Sequence, residues 1–341
     1  MHNFEQPPAS GENDKELIER QFETAASLFK DGVESGELDL SKDIEILAGN
    51  NSHEARALKR EALSGVETPD HLREFAESIS GDHSDEAGEW RKKIAESPHA
   101  LDFLARSFAG EKPDSATYDR LVEMSERGAA LDPILRGLSG DDSPKAWEIR
   151  QKMVDRVLEG DEWPVAGSVF QSLAGVESKE ADDMRLKLKT FLGSGESKYS
   201  PVRNPGEVNP ATAKQIMDGG MVDGADMIAF AHSIAGVDSP SATEFRRDLQ
   251  NVTDSPAKLE ALIVSVTGLD TPEAEGIRNQ VLDIKDLKDR EYYLGLVAKS
   301  LAGTTGERAE MLRLKLQEQG VSRKSLIAGM HKAFVFNHKP L

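Results

Sequence analysis

The chain has 341 residues, with 61 acids against 42 lysines and arginines, a formal charge of -19 and no cysteine. That balance disfavours nucleic acid and an anionic membrane as the main partner and points to a basic one. The missing cysteines exclude disulfides, thiolate catalysis and cysteine-ligated metal centres, and a hydrophobic share of 38% suits a thin helical stack better than one thick core.

Residues 1–12 predict a disordered tail. No apolar stretch follows a positive start, so no cleaved export signal is expected, and no run reaches membrane-spanning length. The expected location is the cytoplasm, with delivery as an effector under an uncleaved address left open. Residues 13–40 predict an N-terminal capping helix, because Leu17, Phe22, Ala25 and Phe29 recur at helical spacing.

Over residues 41–192 one phrase then repeats. A short apolar helix ends in Ser-apolar-small-Gly, and a second helix opens about three residues later, as in SISGDHSDEAGEWRKKI from Ser78 and SLAGVESKEADDMRLKL from Ser172. The glycines are Gly49, Gly81, Gly110, Gly140, Gly175, Gly236, Gly268 and Gly303, at intervals of 32, 29, 30, 35, 61, 32 and 35 residues. Six residues after each stands an alanine, from Ala55 to Ala309. Ten residues after each stands a base: Lys59, then Arg91, Arg120, Arg150, Arg185, Arg246, Arg278 and Arg313.

Each part has a physical reading. Glycine takes the left-handed backbone that stops a helix. Pairs such as Ser143-Pro144, Ser239-Pro240 and Thr271-Pro272 start the next one, with a side-chain cap and a proline where no N-H is needed. The alanine lets paired helices approach closely. The base lies about 40° around the helix from that alanine, at the edge of the buried stripe. Its expected role is structural, with the guanidinium on loop carbonyls, a helix end or a neighbouring acid; the competing reading is a cation ladder for an acidic ligand.

The interval of 61 residues is about two periods and is expected to hide a degenerate sixth repeat. Residues 193–210, rich in Gly, Ser and Pro, predict a loop or hinge within it. Lys198, Tyr199 and Arg203 form a basic and aromatic island there, the candidate interaction residues. Regular repeats resume over 211–320. Residues 321–341 predict a C-terminal capping helix and tail, with Leu326, Ile327, Phe334 and Phe336 covering the last hairpin.

No catalytic or metal motif stands out. The eight histidines, including His53, His83 and His331, are scattered, and no pair flanks a glutamate at metal-binding spacing. Neither a cofactor nor a metal is expected.

The expected fold is all-α, a right-handed α-solenoid of about nine helix-turn-helix repeats of about 30–35 residues, without β-sheet. Over residues 41–320 the SLAGxxSxxAxxxR phrase resembles helical-hairpin solenoids, armadillo and HEAT proteins in role and tetratricopeptide or pentatricopeptide proteins in unit length. It is similar to repeats of uncharacterised bacterial proteins. The tetratricopeptide Trp, Leu-Gly, Tyr and Pro pattern and the ankyrin TPLH turn are absent, and no site residue is carried over. The resemblance implies a monomeric, non-catalytic scaffold binding a protein or peptide. The alternatives are a helical-repeat RNA binder and a regulator or enzyme acting through the 193–210 loop.

Overall fold

The structure, a computed structural model, describes residues 14–82, 84–97, 103–104, 107, 134–135, 137–159, 164–193, 224–250, 256–284 and 289–331. Every regular element among them is helical. Lys198, Tyr199, Arg203 and Arg120 lie outside the described residues, as do the 1–12 tail and the 194–210 part of the expected loop.

The chain forms two compact units, one made of residues 1–111 together with 266–341 and the other of residues 112–265. The first holds α1 (Asp14–Glu34), α2 (Leu40–Asp43), a 3-10 helix (Ile44–Leu47), α3 (His53–Ser64), α4 (Pro69–Ser78) and α5 (Asp85–Ala95) from the early chain. The second holds α6 (Pro144–Glu159), α7 (Pro164–Ser172), α8 (Lys179–Gly193), α9 (Gly224–Ser233), α10 (Pro240–Gln250) and α11 (Pro256–Ser265). The late chain returns to the first unit with α12 (Pro272–Leu282), α13 (Arg290–Ser300), α14 (Glu307–Glu318) and α15 (Arg323–Ala328).

The boundaries of these helices follow from local chemistry. Gly49, Gly81, Gly140, Gly175, Gly236, Gly268 and Gly303 all have φ between 69° and 82°, a conformation that a side chain disfavours. The next helix opens on a hydroxyl. Ser52, Ser84, Ser143, Ser178, Ser239 and Thr271 each accept the backbone N-H of the repeat alanine three residues on, at 3.2–3.3 Å. Those alanines are buried, which lets the second helix of each hairpin lie close to its neighbours.

Each unit has its own core. In the first, Phe29, Ile44, Leu47, Phe75, Ile79, Trp90 and Ile94 pack with Ile327 and Met330, so both ends of the chain contribute to one cluster. In the second, Phe170, Phe230 and Phe245 form an aromatic column with centroids 5.5 and 4.4 Å apart.

Two arrangements go beyond the expected ladder of repeats. Within the second unit, the Gly175 repeat contacts the Gly236 repeat directly: Gly175 N-H donates to the Ala235 carbonyl at 3.3 Å, and α7 packs on α9. No layer separates them, although two periods of sequence do. Within the first unit, the expected terminal caps touch each other, because α15 packs against α1 and the 3-10 helix.

Candidate functional site

The recurrent base is the most distinctive polar feature of the fold, and the structure places it inside. Arg91, Arg150, Arg185, Arg246, Arg278 and Arg313 are between 0% and 7% exposed. A helix leaves its last carbonyls without intrahelical donors. Each arginine fills that need for two helices at once. It donates to the carbonyl twelve residues earlier, at the end of its own repeat's first helix: Ile79, Leu138, Leu173, Ile234, Val266 and Leu301, at 2.7–3.2 Å. It also donates to the following repeat, at the carbonyls of Ser107, Ser172, Ser233, Ser265, Ser300 and Gly329, at 2.7–3.0 Å.

The recurrent serine is explained by the same clamp. Its hydroxyl donates to a carbonyl of its own helix, as Ser172 does to Val169 and Ser300 to Val297, at 2.7 and 2.8 Å. Its lone pairs then receive the arginine Nε, from Arg91 to Ser107, Arg150 to Ser172 and Arg278 to Ser300, at 2.9–3.2 Å. A hydroxyl both donates and accepts, which an alanine there cannot do.

Burial sets the electrostatics. It pushes the Arg150 and Arg278 guanidinium groups down to about 10, with Asp141 and Asp270 respectively pulling them back up. It lowers Arg185 and Arg313 in the same direction, against the ion pairs with Asp182 at 2.8 Å and Glu310 at 2.6 Å. Arg150 also lies 5.0 Å from the Trp147 ring centroid. Groups committed to carbonyls in this way hold structure together; their donors face the fold.

The first repeat departs from this pattern. Lys59 replaces the arginine, is fully buried, and donates to the Asn50 carbonyl at 2.7 Å. An ammonium has no fork to span two helices. Burial lowers its pKa to about 7, against the pull of Asp82 and with the push of Arg56 and Arg91. Asp82 is itself buried and receives the Ser84 N-H at 2.9 Å, and its carboxyl is held below the usual value against its own desolvation.

Beside Lys59 the first and last described helices, α1 and α15, meet. Gln21 Nε2 donates to the Met330 carbonyl at 2.7 Å, Arg323 pairs with Glu37 at 3.2 Å, and Lys324 pairs with Asp43 at 2.5 Å. Asn50 Nδ2 donates to the Phe22 carbonyl at 2.7 Å. His331 completes the junction, 1% exposed, with its carbonyl accepting the Gly303 N-H and its ring 6.0 Å from that of Phe22. Sequence reading singled out neither the junction nor His331. The available signal was the lysine standing where every other repeat has arginine.

Among the described residues no group of three or more His, Asp or Glu side chains is arranged to hold a metal ion. No described helix is long and apolar enough to cross a membrane. Comparison with protein-family models, curated proteins and solved structures returned no match.

Proposed function

We propose that the chain is a non-catalytic scaffold, an α-solenoid whose variable helix faces hold a protein or peptide partner. One observation carries this reading: the residues that recur are spent on stacking. The described glycines, caps, alanines and arginines of the repeat are turned inward or bonded to neighbouring repeats. What the solenoid offers a partner is the surface that does not recur. Leu186 on α8, 62% exposed, and Met311 on α14, 55% exposed, are large apolar side chains on that surface, and methionine is among the residues enriched at interfaces. The charge of -19 favours a basic partner by steering.

The test is affinity capture with the intact chain, with and without nuclease, alongside Leu186→Glu and Met311→Glu. A protein partner that survives nuclease and is lost with at least one of these variants, while the variant keeps its thermal midpoint, supports the scaffold. A partner that vanishes with nuclease overturns it in favour of RNA.

A further inference from the structure

The segment from Arg323 to His331 is half a repeat and carries a buried imidazole. Gly329-Met330-His331 stands where other repeats carry Ser-apolar-small. Arg313 donates to the Gly329 carbonyl at 3.0 Å as Arg278 donates to that of Ser300 at 2.8 Å, and His331 accepts the Gly303 N-H as Ser80 accepts that of Gly49. On its far side this half-repeat lies against α1 and the 3-10 helix, where the His331 ring stands 6.0 Å from that of Phe22. One segment thus joins the last repeat to the first.

We propose that the segment from Arg323 to His331 is an acid-released latch, opened by protonation of the His331 ring. Among the described residues, the charges that act on that ring are the Lys59 ammonium on α3 and the Arg313 guanidinium on α14, both of which disfavour a charged imidazole. From α1 it meets the Phe22 ring. Asp82, Arg56 and Arg91 act on Lys59. The carboxylates nearest the latch, Glu37, Asp43 and Glu45, are engaged by Arg323 and Lys324. A proton on His331 therefore adds a third cation to a site closed to water.

The latch is also shallow. Its helix has six residues and buries Leu326, Ile327 and Ala328, and a short element with few apolar contacts opens locally before the body unfolds. Burial first, then Lys59, holds the docked ring at about 3, whereas a released ring titrates near 6.5. Between those values the released form binds more protons, so release grows as pH falls. From pH 7.5 to pH 5 the ratio of released to docked chain rises about thirtyfold. Lys59, whose buried ammonium is lowered to about 7, makes most of its change above this window.

Hydrogen exchange of the amides at 326–330, corrected for intrinsic rates, measures release directly. The intact chain should lose about thirtyfold in protection between pH 7.5 and 5, while the Gly175 repeat keeps its protection. In His331→Phe, whose ring stacks on Phe22 without titrating, the loss should fall below about fivefold. Unchanged protection in the native chain, or an equal loss in the variant, overturns the latch. If the variant fails to fold, the NMR titration of His331 in the native chain decides instead: a value well below the ordinary histidine range supports the latch, and one within it overturns it.

Discussion

Arg185 donates to the carbonyl of Ser233 from both Nε and Nη2, at 3.1 and 2.8 Å, across 48 residues of sequence. In every other described clamp the arginine and its partner in the following repeat are 16 to 22 residues apart. The long separation marks the place where two repeats stack directly despite the two periods of chain between their glycines.

That contact makes the first prediction. Replacing residues 194–223 by a flexible linker of about 12 residues leaves the described clamp between α8 and α9 intact, since loop length itself changes stability only slowly. The urea midpoint should move by the equivalent of about 1 kcal/mol or less. Loss of a cooperative transition would refute direct stacking as sufficient. Retained stability with loss of the partner would place binding within residues 194–223, the stretch that carries Lys198, Tyr199 and Arg203.

The clamps are expected to be unequal to surface charges. Arg278→Ala removes a guanidinium that is 2% exposed and strips donors from the carbonyls of Val266, Leu269 and Ser300. The cost should be about 3–5 kcal/mol in denaturant unfolding. Arg278→Lys should recover only part of it, because an ammonium cannot span both helices. Arg308→Ala, which breaks an exposed pair with Glu275, should change stability by about 0.5 kcal/mol or less.

Lys59 predicts a pH dependence on the alkaline side. Its folded pKa of about 7 lies below the ordinary lysine value of 10.5. Between those two values the unfolded chain binds the extra proton, so stability rises with pH from about 7 towards 10 and levels off below 7. The full effect is on the order of 3–5 kcal/mol. Unfolding free energies measured from pH 7 to 9.5 should show this slope in the native chain and a shallower one in Lys59→Met. Parallel slopes would show that Lys59 is not the titrating group.

Two glycine replacements should move in opposite directions. A Cβ at Gly329 would meet the Ala298 carbonyl oxygen, a backbone atom with little room to move. Gly329→Ala should therefore undock α15 and lower the thermal midpoint. A Cβ at Gly276, inside α12, meets nothing within 4 Å. Gly276→Ala should raise stability by about 0.5–1 kcal/mol, the helix-propensity difference. A destabilised Gly276→Ala would show that α12 is packed more tightly than described.

Much of this was written in local signals. The helix stop at Gly236, the cap of Ser239 on Ala242 and the proline at the start of α10 depend on residues within one turn of each other. A spacing repeated along the chain is therefore enough to place them. The arginine at ten residues after the glycine is legible as a repeated base at the rim of the apolar stripe. Its burial is not, because one of the carbonyls that receive it belongs to the next repeat and enters only when the repeats stack.

The sequence by itself determined the helical hairpin, its boundaries and the residues that recur, since these rest on backbone conformation, capping and apolar periodicity. Tertiary structure decided which repeats are neighbours. Arg185 passes over the sequence between α8 and α9 to reach Ser233, and Gln21 on α1 reaches the Met330 carbonyl across 309 residues. Neither pairing has a local code: any carbonyl at a helix end satisfies a guanidinium, and only the packing of the cores selects which one it meets.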